Sequence, residues 1–180
     1  MPRFAALFRG INVGKAKRVA MADLRAQLEG LGYSQVRTLL NSGNAVFDGP
    51  ALANAKHAKR IQEAVARALG LDALVIVKSA REIEAAVAGN PLGELATDPS
   101  RLLVVFTHDA QSLGELEPMA KADWGADRVR VGKHAAYVWC AGGILQSKAA
   151  VMLLKRLAQS GTTRNWSTLE KLHAMLHSEG

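Results

Sequence analysis

Val36-Arg37-Thr38-Leu39-Leu40-Asn41-Ser42-Gly43-Asn44-Ala45-Val46-Phe47 sets two strand-like apolar runs on either side of a dense cluster of turn residues. Asn, Ser and Gly accept the backbone angles of a tight reversal, so the stretch predicts a β-hairpin. On its N-terminal side, Met21, Leu24, Leu28 and Leu31 recur at spacings of three and four, which predicts one face of a helix ended by Gly32. Before that helix, Arg3 to Phe8 is a short apolar run with aromatic ends, read as a strand. On the C-terminal side, Asp48-Gly49-Pro50 stops the hairpin. A helix is expected from Leu52 to Leu69, with Ile61, Val65, Ala68 and Leu69 inward and Gly70 at its end. Ala73 to Val77 then reads as a fourth strand. The order is βαββαβ. It predicts a ferredoxin-like plait, a four-stranded antiparallel sheet with both helices on one face.

The second half repeats this order. Leu102 to Phe106 is strand-like, and Ser112 to Ala122 suits a helix with Leu113, Leu116 and Met119 inward, its regularity limited by Pro118. Arg128 to Val131 and Ala136 to Trp139 form a strand pair, and Gln146 to Leu157 a helix facing inward through Val151, Leu154 and Leu157. Gly161 to Arg164 supplies a last short strand. Ser167 and Glu170 have the spacing of a capping box, opening a terminal helix with Leu169, Leu172 and Leu176 aligned. The expected fold is α+β: two tandem ferredoxin-like units with antiparallel sheets, plus a C-terminal helix. The expected boundaries are 1–78 for the first unit, 79–101 for a helical linker, 102–164 for the second unit and 165–180 for the last helix.

Composition narrows the class of protein. Of the 180 residues, 49 % are apolar, enough for a proper core. One cysteine, Cys140, excludes an internal disulfide and suits a reducing compartment. Neither a signal-peptide core nor a membrane-length apolar run is present, so a soluble cytoplasmic protein without a membrane partner is expected. The net charge of +7 favours polyanionic partners. Oligomeric state has no sequence signature here.

Between the first strand and first helix, Arg9-Gly10-Ile11-Asn12-Val13-Gly14-Lys15-Ala16-Lys17-Arg18 carries two glycines, four cations and no acid. Gly10 and Gly14 permit angles that bare amide donors, and the cations add charge, so an anion site is expected here. It is not the phosphate loop of nucleotide hydrolases. Three residues rather than four separate the glycines, and Ala16 stands where the metal-binding hydroxyl would be. The hairpin turn is expected at one sheet edge beside this loop, bringing Ser42 and Asn44 near Asn12. Thr162-Thr163-Arg164-Asn165-Trp166-Ser167-Thr168 precedes a helix, where hydroxyls, a guanidinium and free amides suit a phosphate or carboxylate and Trp166 suits a ring. The candidate anion-binding set is Arg9, Gly10, Asn12, Gly14, Lys15, Ser42, Asn44, Arg164, Asn165 and Trp166. The competing structural reading makes these residues turns, helix caps and packing. His173 and His177 lie four apart on the terminal helix with no third ligand indicated, and Cys140 sits in a strand as a small apolar residue, so no metal, cofactor or catalytic residue is expected.

The segments Leu7-Phe8-Arg9-Gly10-Ile11-Asn12-Val13-Gly14, Met21-Ala22-Asp23-Leu24-Arg25, Arg37-Thr38, Ser42-Gly43-Asn44-Ala45-Val46-Phe47, Asn90-Pro91-Leu92, Ser147-Lys148 and Thr162 to Thr168 together resemble the bacterial domain of unknown function 1697 family. The resemblance runs the length of the chain and implies a tandem pair of ferredoxin-like units, with no established activity. The family's second glycine after Ile-Asn-Val is Lys15 here, which makes the loop less flexible and more cationic. The leading expectation is a binding module for an anionic small molecule or nucleic acid. The alternatives are an enzyme acting on a phosphorylated small molecule, for which no general base is evident, and a structural or regulatory interaction module.

Overall fold

The computed structural model describes residues 1–12, 18–39 and 43–179. By internal contacts the chain divides into Met1–Arg81 with Leu172–Gly180, and Glu82–Lys171. The first unit contains β1 (Arg3–Arg9), α1 (Met21–Gly30), β2 (Ser34–Leu39), β3 (Asn44–Asp48), α2 (Asn54–Leu69) and β4 (Leu74–Ser79). Its sheet runs β2-β3-β1-β4, every pairing antiparallel. Side chains alternate across a strand. Phe4, Ala6 and Phe8 therefore share one face of β1, where they meet Leu24 and Leu28 of α1 and Ile61 and Val65 of α2. On the other face Ala5, Leu7, Val46 and Ile76 are no more than 1 % exposed. Burial on both faces explains why β1 and β4 read as unbroken apolar runs.

Two expectations about α2 change. The helix starts at Asn54, and Ala68 is exposed, while His57, Ala58 and Ala64 join Ile61 and Val65 inside. Gly70 ends it as expected, at φ +61°, the left-handed conformation of a helix C-cap.

The second unit begins within α3 (Ala80–Ala88) and continues through β5 (Leu102–Thr107), α4 (Ala110–Gly114), α5 (Glu117–Lys121), β6 (Arg128–Val131), β7 (Ala136–Trp139), α6 (Lys148–Leu157), β8 (Gly161–Asn165) and the start of α7 (Trp166–His177). Its antiparallel sheet runs β6-β7-β5-β8, the same permutation as the first. Leu103, Val105 and Val138 pack on Leu113, Leu116 and Met119 and on the inner face of α6. The opposite face, with Leu102, Val104, Phe106 and Tyr137, is also buried. There the Tyr137 hydroxyl donates to the Ala86 carbonyl at 2.6 Å, fixing the end of α3.

Three local expectations are corrected. Ser112–Ala122 is two short helices, because Pro118 opens α5 and cannot continue α4. The inner face of α6 is Ala149, Ala150, Leu153 and Leu157, while Val151 and Leu154 are 48 % and 37 % exposed. Small residues fit where this helix lies close against the sheet, so counting only bulky side chains rotated the predicted face. Asn165, not Ser167, caps α7: its Oδ1 accepts the Thr168 N–H at 2.9 Å.

The last turns of α7 belong with the first unit. Arg3 donates through Nη1 to the carbonyls of Leu176 (3.1 Å) and Ser178 (2.7 Å), and through Nε to Asp48 (2.8 Å). Arg37 donates to the Met175 carbonyl and the Ser178 hydroxyl. A helix C-terminus leaves unpaired carbonyls, and two guanidinium groups answer them here. Among the described residues no helix is long and apolar enough to cross a membrane.

Candidate functional site

The opening loop leaves β1 after Arg9. Gly10 takes φ +80°, and Asn12 follows at φ +52°, a region that Asn tolerates better than most residues. Between them Ile11 is fully buried and anchors the loop in the first core. Asn12 then closes it. Its Nδ2 donates to the Val19 carbonyl at 2.8 Å, and its Oδ1 accepts the Val19 N–H at 2.7 Å. A carboxamide has one acceptor and two donors, so it can pair with a whole peptide group as another backbone would. Arg18 donates to the Asn12 carbonyl at 2.9 Å and crosses the same neck.

Gly43, the described residue that leads from the β2–β3 turn into β3, lies against Phe8 and Ile11 at the base of this loop. Phe8 N–H donates to the Gly43 carbonyl at 2.9 Å. Gly43 has φ +88°, and a Cβ placed on it would stand 2.5 Å from Ile11 Cδ1 and 2.8 Å from Phe8 Cβ. Only glycine fits there. Asn44 is fully buried, and its Nδ2 donates to the Leu39 carbonyl at 3.0 Å. Thus Asn12 spans the neck of one loop and Asn44 that of the other. Gly14, Lys15 and Ser42 lie outside the described residues. Arg9 and Asn12 are half-buried beside Gly10.

Arg164, Asn165 and Trp166 fall in the second unit, at the junction of β8 and α7. Arg164 donates through Nη1 to Thr162 Oγ1 (3.0 Å) and to the Thr163 carbonyl (2.7 Å). Burial pushes its guanidinium down to about 10. Asn165 is occupied as the α7 cap, and Trp166 is half-buried.

Two polar clusters escaped the sequence reading. In the first unit Tyr33 and His57 share a buried hydrogen bond inside a ring of Phe4 and Phe47. The spacing of His57, Ile61 and Val65 along one helical face was the available signal. In the second unit Asp127 accepts the Ala141 N–H at 2.9 Å and the Ser147 hydroxyl at 2.6 Å, while Ser147 Oγ accepts the Ala150 N–H at 3.0 Å and so caps α6. Nothing local marks Asp127 as the partner of a residue twenty positions away. Burial, above all, pushes the neighbouring Cys140 thiol up, aided by the Asp127 charge against a pull from Ser147. A thiol held protonated is a poor nucleophile. The His173 and His177 rings lie 4.4 Å apart, tilted by 50°, with His177 Nδ1 on the His173 carbonyl. Among the described residues no group of three or more His, Cys, Asp or Glu is placed to hold a metal.

Residues 1–137 match the family described as Protein of unknown function (DUF1697). The chain belongs to this family. The DUF1697 match takes in both clipped loops and ends before Thr162–Thr168. The fold is similar to that of the conserved bacterial protein SP0830 from Streptococcus pneumoniae, at 24 % identity and a TM-score of 0.79, covering 97 % of this chain and 98 % of that one. A comparison with curated proteins gives no match.

Proposed function

We propose that this DUF1697 protein is a cytoplasmic binding module for an anionic ligand, a nucleotide, nucleic acid backbone or phosphorylated metabolite, built as two tandem ferredoxin-like units. The same strand permutation in both sheets, with two helices on one face of the first, supports the plait reading. The observation that carries the ligand reading is the Asn12–Val19 clip. It ties off a segment whose sequence carries Lys15, Lys17 and Arg18, with Gly43 pressed against its base. A segment tied at both ends loses less conformational freedom on binding than a free one. The proposed ligand contacts are Arg9, Gly10, Gly14, Lys15, Arg18 and Ser42, while Asn12 and Asn44 hold the described ends of their two segments. Arg164, Asn165 and Trp166 stay outside this reading, because the first two have partners within their own turn.

The sheets do not offer the stacking platform of RNA-binding plaits, since both faces of each are buried. A nucleic acid would therefore be held by its phosphates. Filter binding with a mononucleotide and a single-stranded oligonucleotide over a salt series tests the proposal. Affinity for the oligonucleotide should fall steeply as salt rises, and the triple variant Lys15→Ala, Lys17→Ala, Arg18→Ala should lose at least about tenfold at low salt. Absence of binding to both probes at low salt sinks it.

A further inference from the structure

Away from the basic loop, the second unit carries an open groove of about 440 Å³ beside α5 and α6. That volume lies within the range of small-molecule sites. Pro118, Met119, Ala122, Trp124 and Met152 give it an apolar lining. The Trp124 indole N–H donates to the Met119 carbonyl at 2.7 Å, which uses the ring's one polar atom and fixes the indole in place. Met152 is 49 % exposed, so a flexible, polarisable thioether stands at the opening.

The charged residues that line it have one sign. Lys155 and Arg156 are the charged residues of the lining, both exposed in the last turn of α6, and no carboxylate lines the groove. Neither cation has an ion-pair partner among the described residues. Their position offsets the helix dipole, which accounts for charge there but not for the apolar concavity beneath it.

We propose that this groove is a second binding site, for a small amphipathic anion. Such a ligand has a hydrocarbon body of one or two rings, or a medium-length acyl chain, and a single carboxylate or sulfonate. The body lies on Trp124 between Met119 and Met152, and the anionic end meets Lys155 and Arg156. Ring stacking and thioether contact reward the apolar part, and the paired cations select the sign of the head group. A neutral analogue of the same shape binds more weakly, and a cationic one is rejected.

The test titrates the full chain with 8-anilinonaphthalene-1-sulfonate, then displaces it with octanoate, while following the Trp124 indole proton by NMR, assigned with Trp124→Phe. The expected result is saturable one-to-one binding, a shift of the Trp124 resonance, displacement by octanoate and not by octylamine, and at least a tenfold loss in Lys155→Glu/Arg156→Glu. Both positions are exposed on α6, and a cooperative thermal transition confirms that the double variant folds, with its melting temperature lowered only by the changed helix-dipole contact. Met152→Asp should lose affinity in the same way. The proposal is overturned if binding does not saturate, if it is undiminished in the folded double variant, or if it falls only in the variant lacking Lys15, Lys17 and Arg18.

Discussion

The Tyr33 hydroxyl lies 2.7 Å from His57 Nδ1, and His57 Nε2 lies 3.1 Å from the Pro50 carbonyl. A carbonyl only accepts, so Nε2 carries the ring proton and Nδ1 accepts from Tyr33. The histidine is neutral, and burial is the main force holding its pKa below the usual value, opposed by the Pro50 contact and helped by Arg60. Below pH 6.5 the unfolded chain binds a proton at this position that the folded chain refuses. Stability contributed by neutral His57 is therefore present above pH 6.5 and lost as pH falls through the lower folded value. Urea unfolding at pH 7 and pH 5 should show a lower midpoint at pH 5. His57→Gln, which keeps a polar partner for Tyr33 but does not titrate, should show a smaller difference.

The Asn12 clip makes a second prediction. Asn12→Asp keeps the acceptor for Val19 N–H but puts a carboxylate oxygen against the Val19 carbonyl. Losing the donor and adding repulsion should cost about 1–3 kcal/mol. Hydrogen exchange at the loop neck should quicken, and anion binding should weaken along with it. If exchange quickens while binding is unchanged, the loop is not the ligand site.

Gly43→Ala tests the meeting of the two loops. The new methyl enters the space of Ile11 Cδ1 and Phe8 Cβ at a positive φ. Overpacking and backbone strain together should destabilise by about 2–4 kcal/mol, read from chemical denaturation. Adding Ile11→Val, which removes Cδ1, should restore part of that loss. An additive pair would show that the contact is not what forbids a side chain at position 43.

Tyr137 gives the alkaline counterpart of His57. Burial pushes its phenol up to about 12, and the hydroxyl donates to the Ala86 carbonyl. The raised folded value means that stability is full below pH 10, where unfolded tyrosine keeps its proton, and declines as pH climbs towards 12. Absorbance titration of phenolate formation should place Tyr137 near that value. Tyr137→Phe strands a buried acceptor and should cost about 1–3 kcal/mol in stability at neutral pH.

How much could be read from the chain alone depends on how local the cause is. The hairpin around Gly43 and the helices ended by Gly32 and Gly70 are set by neighbouring residues and were legible, whereas Pro118 was read only as limiting one helix that it in fact divides in two. The face of α6 was misread because it packs through Ala149 and Ala150, whose small side chains carry little hydrophobic signal. The α7 cap was misplaced because Asn165 and Ser167 have similar capping preferences, and only the path of β8 decides between them. In the candidate site, the approach of Gly43 to the end of β1 was readable from strand order. The partners of Asn12, Asn44 and Arg164 were not, since a carboxamide or guanidinium does the same chemistry for a ligand as for the backbone.

Arg3 and Arg37 grip carbonyls some 140 to 175 positions away. During synthesis the N-terminal half leaves the ribosome long before those carbonyls exist. Until Met175, Leu176 and Ser178 arrive, these two guanidinium groups lack the C-terminal partners they have in the finished fold. The first unit is therefore closed by chain made last, and these bonds can form only after the second unit has been synthesised.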